Sequence, residues 1–154
     1  MNNDNTQDSP PKDYRPWLGV DLGEKRIGIA LSDGLKIAAQ PHSIILRTSR
    51  KADFEKFGNL AKEHNVGLIV VGLPIQMDGE EGAMAKWARD YGGALGESLG
   101  LPVVFQDESL TSEMAAGAMA EAGYSRKKMK GKLDAVAAAL ILQSYMDQLQ
   151  QQAY

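Results

Sequence analysis

The sequence contains no cysteine, which removes disulfides, thiolate nucleophiles and cysteine-based zinc sites together and suits a reducing, cytoplasmic compartment. Histidine is nearly as scarce. His42 and His64 are the only two, and without an HExxH spacing or a paired-histidine ligand set a histidine-rich metal site is excluded. Any metal chemistry falls to carboxylates. Long apolar runs are missing as well: the longest, residues 135–142, is far short of the roughly 20 residues a membrane helix needs, so no membrane partner is expected. The opening MNNDNTQDSPPKD has no apolar segment and carries three acids against one lysine, so it is neither a signal nor a transit peptide. It reads as a disordered tail over residues 1–15, leaving residues 16–150 for one folded domain. A strong charge of one sign is also absent. The formal net charge of −3 neither demands nor forbids a nucleic-acid partner, and local clustering must decide.

What is present, 44% hydrophobic and 24% charged residues over 154 positions, describes an ordinary globule with one core. Residues 17–21 (WLGVD) read as a buried strand that meets a turn at Gly23, and residues 26–32 (RIGIALS) alternate as a second strand. The short gap between them leaves room only for a hairpin, so the two are antiparallel. Residues 35–46 hold a third strand, interrupted or ended near Pro41. The period then becomes helical: Phe54, Phe57, Leu60, Ala61 and His64 define a helix over 51–63. Residues 67–72 (GLIVVG) are continuously apolar, as in a strand buried on both faces. Met84, Trp87, Ala88, Tyr91, Leu95 and Leu99 mark a second helix, and 103–106 (VVFQ) a fifth strand. Further helices are expected over 111–122 and 133–150. The class is α/β, with an antiparallel meander followed by right-handed crossovers, giving a mixed five-stranded sheet flanked by helices.

Three acids fall at special places: Asp21 at the end of the first strand, Glu108 just past the last, and Asp134 in the first turn of the last helix. Singly, each has a plain explanation in turn geometry, helix capping or the helix dipole. Jointly they can reach the edge where open α/β sheets place their ligand crevice, which reads as a metal site.

The stretches LGVDLGEKRIGIALSD (18–33), VVGLPIQMDG (70–79), DESLTSEMA (107–115) and KGKLDAVAAALILQSYM (130–146) resemble, in order, the motifs of the YqgF family, also called RuvX. The resemblance implies a ribonuclease H-like fold, similarity to bacterial Holliday-junction resolvases, and an assignment to nucleases maturing the 5′ end of small-subunit (pre-16S) ribosomal RNA or to junction resolvases. Carried across, it makes Asp21, Glu108 and Asp134 the catalytic acids and ligands of Mg²⁺ (or Mn²⁺). The third motif departs from the family's Asp-Glu-Arg, because Ser109 follows Glu108 and an arginine able to touch phosphate is missing.

Such a cluster suits phosphodiester hydrolysis. Mg²⁺ prefers oxygen ligands, and two ions about 3.5 to 4 Å apart can activate water and neutralise the leaving oxygen. By position Asp21 bridges, Glu108 and Asp134 each hold one ion, and Asp107 replaces Glu108 if the strand ends one residue earlier. Gly23 and Gly28 serve either close approach or hairpin geometry, and the 73–82 loop either shapes the cleft or merely connects. Trp87 and Tyr91 are assigned to the core rather than to base stacking, and His64 to a helix end. The run YSRKKMKGK holds Arg126, Lys127, Lys128, Lys130 and Lys132 with no acid among them. Read as an exposed loop leading into Asp134, it would deliver a phosphate backbone to the metals. Arg47, Arg50 and Lys51 make a weaker patch, and Arg26 is placed to pair with a catalytic acid.

The expected function is a two-metal nuclease of structured RNA, a cytoplasmic monomer or weak homodimer. A resolvase of branched DNA is the runner-up and requires a symmetric dimer, because it needs two active sites. An actin-like ATPase or sugar kinase also begins with a strand and Asp-x-Gly, but it needs two such domains. A non-catalytic nucleic-acid-binding module is the remaining alternative, distinguished by binding without cleavage.

Overall fold

A computed structural model of the chain describes residues 12–75, 79–108, 117, 121 and 126–152, and for 126–131 the backbone alone. Among the described residues the elements run β1 (Trp17–Leu22), β2 (Arg26–Ser32), β3 (Ala39–Leu46), α1 (Arg50–His64), β4 (Leu68–Leu73), α2 (Ala83–Leu99), β5 (Val103–Asp107) and α3 (Arg126–Gln152). The sheet order is β3-β2-β1-β4-β5. Antiparallel ladders join β1 to β2 and β2 to β3, and parallel ladders join β1 to β4 and β4 to β5. This is the expected meander with parallel strands added on one side. The expected helix over 111–122 lies outside the described residues except for Gly117 and Glu121, both helical. Of the expected tail, residues 1–11 lie outside them too.

The pleat sorts the core into two layers. Leu18 and Val20 of β1, Ile27 and Ile29 of β2, and Ile69 and Val71 of β4 face α1 and α2, where Phe57, Tyr91 and Leu95 are buried with them. Ala30 and Val70 point the other way, onto Ala138, Ile141, Leu142 and Met146 of α3. Each large apolar side chain taken out of water contributes about 1.5–3 kcal/mol. β4 is therefore covered on both faces, as its unbroken apolar run requires.

The ends of α1 are set locally. Ser49 accepts a hydrogen bond from the Ala52 N–H at 3.1 Å, an N-cap contributing about 1 kcal/mol, and Asn65 closes the helix in the left-handed region at φ 54°.

Three expectations need correction. Pro41 does not interrupt β3: Ile29 pairs with Ser43 and Ala30 with Pro41, so the strand absorbs an extra residue as a bulge on the sheet's edge, where proline's missing N–H is tolerated. Met84 is exposed, and the buried stripe of α2 runs instead through Ala85, Ala88, Tyr91 and Leu95. The last helix begins at Arg126, well before residue 133, because lysine and arginine are strong helix formers and the charged run extends the helix rather than breaking it. The basic segment is thus helix, not loop.

Candidate active site

The acid cluster is built by backbone proximity. Asp21 lies directly across the β1–β2 ladder from Gly28. A Cβ on Gly28 would stand 1.9 Å from the carbonyl oxygen of Asp134 and 2.9 Å from the amide nitrogen of Ala135, so only glycine lets the backbone of α3 rest on β2 here. That contact carries Asp134 to Asp21. Because α3 starts at Arg126, Asp134 is not in its first turn, and the helix dipole does not account for it. Gly23 serves the hairpin instead, its N–H donating to the Arg26 carbonyl at 2.9 Å.

Glu108 arrives from the other side. Its N–H donates to the Leu73 carbonyl at 2.9 Å, extending the β4–β5 ladder by one residue beyond the Leu73–Asp107 pair. A Cβ on Gly72 would lie 2.7 Å from Glu108 Oε2, so this glycine opens the space that the carboxylate fills. Asp107 ends β5 exposed, whereas the Glu108 carboxyl hydrogen-bonds the Asp21 carboxyl. Of the two adjacent acids, Glu108 is the one that meets Asp21, while Asp107 stays on the exposed side.

A hydrogen bond between two carboxyls requires a proton on one of them. Burial is the chief cause, pushing Glu108 up to about 9, and the neighbouring charge of Asp21 adds to it. Asp21 is raised by burial too; its bond with Glu108 opposes the shift and the charge of Asp134 reinforces it. Asp134 pairs with Arg26, whose Nε lies 3.3 Å from Oδ2, as the sequence suggested. Gly23, Glu24, Lys25, Arg26 and Asp134 line an open cavity of about 350 Å³.

Residues 15–148 match the family model described as RuvX, Holliday junction resolvase. The chain belongs to the RuvX family. A relative from Anaeromyxobacter sp. (strain Fw109-5) is 42% identical over 131 residues, 85% of this chain and 96% of its own length. One from Syntrophomonas wolfei subsp. wolfei is 45% identical over 130 residues, 84% of this chain and 92% of its own. Both carry the name "Putative pre-16S rRNA nuclease". Among solved structures, T. thermophilus RuvC in complex with a Holliday junction substrate superposes with a TM-score of 0.57 at 12% identity, covering 88% of this chain and 96% of that one. The yeast mitochondrial Holliday junction resolvase gives 0.53 at 16%, covering 97% and 85%. At such identities the likeness is one of fold, and the fold is ribonuclease H-like.

For a RuvX chain the question is whether the acids suit a divalent cation. Among the described residues no three carboxylates or histidines lie close enough together to form a ready-made metal cage; Asp21 and Glu108 adjoin, and Asp134 pairs with Arg26. The donor chemistry nevertheless fits. The donors are all oxygen, suited to a hard cation, and two half-buried carboxyls that must share a proton are an environment in which added positive charge relieves strain.

The remaining candidates divide. Of the basic run, Arg126, Lys127, Lys128 and Lys130 belong to α3 by their backbone, and Lys132 is exposed. Of the second patch Lys51 is exposed, while its two arginines are engaged within the fold. Arg50 pairs with Asp90 at 2.8 Å, and Arg47 turns inward over Trp87. Tyr91 is buried and Trp87 packs against the core, as assigned. Ser109 and most of the third motif lie outside the described residues. Sequence reasoning missed Gly72, although a lone glycine inside a β-branched strand signals close approach, and it missed the buried acid Asp53, which no local pattern announces.

Proposed function

We propose that this RuvX chain is a metal-dependent nuclease that hydrolyses phosphodiester bonds of structured RNA during 5′-end maturation of small-subunit ribosomal RNA. One observation carries the reading: Asp21 and Glu108 stand half-buried at the same sheet edge, and the backbone of Asp134 rests on Gly28, directly across the ladder from Asp21. Asp21, Glu108 and Asp134 would hold Mg²⁺ or Mn²⁺. When bound, such ions polarise the phosphate and lower the pKa of an attacking water. The chain's own residues supply the rest. Asp21 and Glu108 would hold the ions in their deprotonated form, Arg26 orients Asp134, and Arg126, Lys127, Lys128, Lys130 and Lys132 would neutralise the phosphate backbone along the start of α3. The names of the relatives support RNA as substrate; the family description supports a second reading, cleavage of branched DNA by a symmetric dimer. A cytoplasmic monomer or weak homodimer belongs to the first reading. Among the described residues no helix is long and apolar enough to cross a membrane.

The test is cleavage of precursor ribosomal RNA and of a four-way DNA junction by the purified chain in Mg²⁺ or Mn²⁺, beside Asp21→Asn. Metal-dependent trimming of the RNA, lost in the variant, is expected. Junction cleavage alone would transfer the chain to the resolvase reading, and binding without cleavage of either would make it a non-catalytic module.

A further inference from the structure

A second charge cluster lies on the opposite face of the sheet from α3. Asp53 is 1% exposed and accepts hydrogen bonds from the Thr48 N–H at 3.1 Å and the Tyr91 hydroxyl at 3.3 Å. Arg47 Nε stands 4.0 Å from Asp53 Oδ2. The guanidinium lies 4.7 Å from the Trp87 ring centre and 5.7 Å from that of Tyr91. The aromatic shelf therefore fixes the plane of this arginine, with Asp53 at ion-pair distance from an Nε that makes no hydrogen bond.

Its outer nitrogen is directed at the turn between β1 and β2. Arg47 Nη1 donates to the carbonyls of Gly23 at 3.1 Å and Glu24 at 2.8 Å, and its backbone N–H donates to the Lys25 carbonyl at 2.9 Å. Three successive carbonyls of one turn thus accept from a single residue. The turn follows Leu22, next to Asp21, and ends at Arg26, the partner of Asp134; its residues line the cavity beside that acid. Turns at a sheet edge are otherwise mobile.

We propose that Arg47 is a positioning residue: anchored by Asp53, Trp87 and Tyr91, it straps the 23–25 turn and thereby sets the geometry of Asp21 and of the Arg26–Asp134 pair. Lysine cannot replace it. An ammonium has no flat face to lay on the Trp87 ring while its nitrogen reaches on to the two turn carbonyls. Arg50 provides the control, because it lies over the same Tyr91 ring at 5.1 Å but pairs with Asp90 and makes none of the turn contacts.

The inference rests on the nuclease reading, so its test has an arm that does not. Amide hydrogen exchange across residues 22–26 is followed in the full-length wild type, Arg47→Ala, Arg47→Lys and Arg50→Ala proteins, together with steady-state cleavage of precursor RNA below every melting transition. Both Arg47 variants are expected to exchange the Gly23 amide about tenfold faster and to lose about tenfold or more in kcat with KM within about threefold, since small misplacements of reacting groups cost that much. Methylguanidinium should restore part of the Arg47→Ala activity, and Arg50→Ala should match wild type in both arms. If Arg47→Ala fails to fold, Arg47→Lys, which keeps the charge and stem, carries the test. Exchange and kcat equal to those of Arg50→Ala would overturn the proposal. A wild type that cleaves nothing would sink the nuclease reading instead, with the exchange arm still deciding whether Arg47 straps the turn.

Discussion

A proton shared by Asp21 and Glu108 makes folding depend on pH. The unfolded chain releases that proton in the ordinary carboxyl range, whereas the folded chain holds it until Glu108 titrates at about 9. Between those limits the folded state binds more protons than the unfolded, so metal-free stability is fully present below the unfolded pKa and declines as pH rises toward 9. Thermal melts in a chelator should show this fall, and Glu108→Gln should flatten it, leaving the variant about 1–3 kcal/mol more stable than wild type near pH 8. Parallel pH profiles for the two proteins would mean that no proton is shared. Asp21→Asn should behave similarly while abolishing cleavage. Asp21 and Glu108 are legible as candidates in sequence, because each stands where a strand pattern ends, whereas Asp134 lies inside α3 and is picked out by the family resemblance rather than by a helix start. The proton between the first two is not legible, since it arises from burial and contact that no single element encodes. The choice of Glu108 over Asp107 likewise needs the register of β5 against β4.

Elements meet at this site through missing side chains. Gly28 admits the backbone of α3 at the level of Asp134, and a methyl group there must displace the helix. Gly28→Ala is expected to cost about 3 kcal/mol or more, with activity lost in whatever fraction folds. Gly93, exposed on α2 with no atom within 4 Å of an added Cβ, gives the opposite sign: Gly93→Ala should stabilise the chain by about 0.5–1 kcal/mol through helix propensity. Denaturant titrations of the two variants check both signs, and equal effects would show that α3 does not rest on β2 as described. Strand order in the meander and the two-sided burial of β4 follow from hairpin length and apolar pattern and are readable beforehand. The start of α3 is not, because a charge run looks alike in a loop and on a helix, and glycine in a strand does not say what approaches it.

Over the whole molecule a net charge of −3 gives no general attraction for nucleic acid, so the proposed binding is assigned to the clustered cations at the start of α3. Replacing Lys127, Lys128 and Lys130 with alanine retains helix propensity and should leave the fold intact. It should flatten the dependence of log affinity on log salt by about 1.5–3 units if two or three of these lysines neutralise phosphates. The measurement is RNA binding in Ca²⁺ at several salt concentrations; an unchanged slope would place the substrate path elsewhere.

The account's central claim, that the three acids form a divalent-cation site, is tested most directly by calorimetric titration of Mn²⁺ into the wild-type and Asp21→Asn proteins near pH 7, in two buffers that differ in ionisation enthalpy. Ligation must expel the proton that Asp21 and Glu108 share, so wild type should release about one proton per first ion bound, and Asp21→Asn should lose both the binding and the release. Equal binding by the two proteins, or binding without proton release, would contradict it.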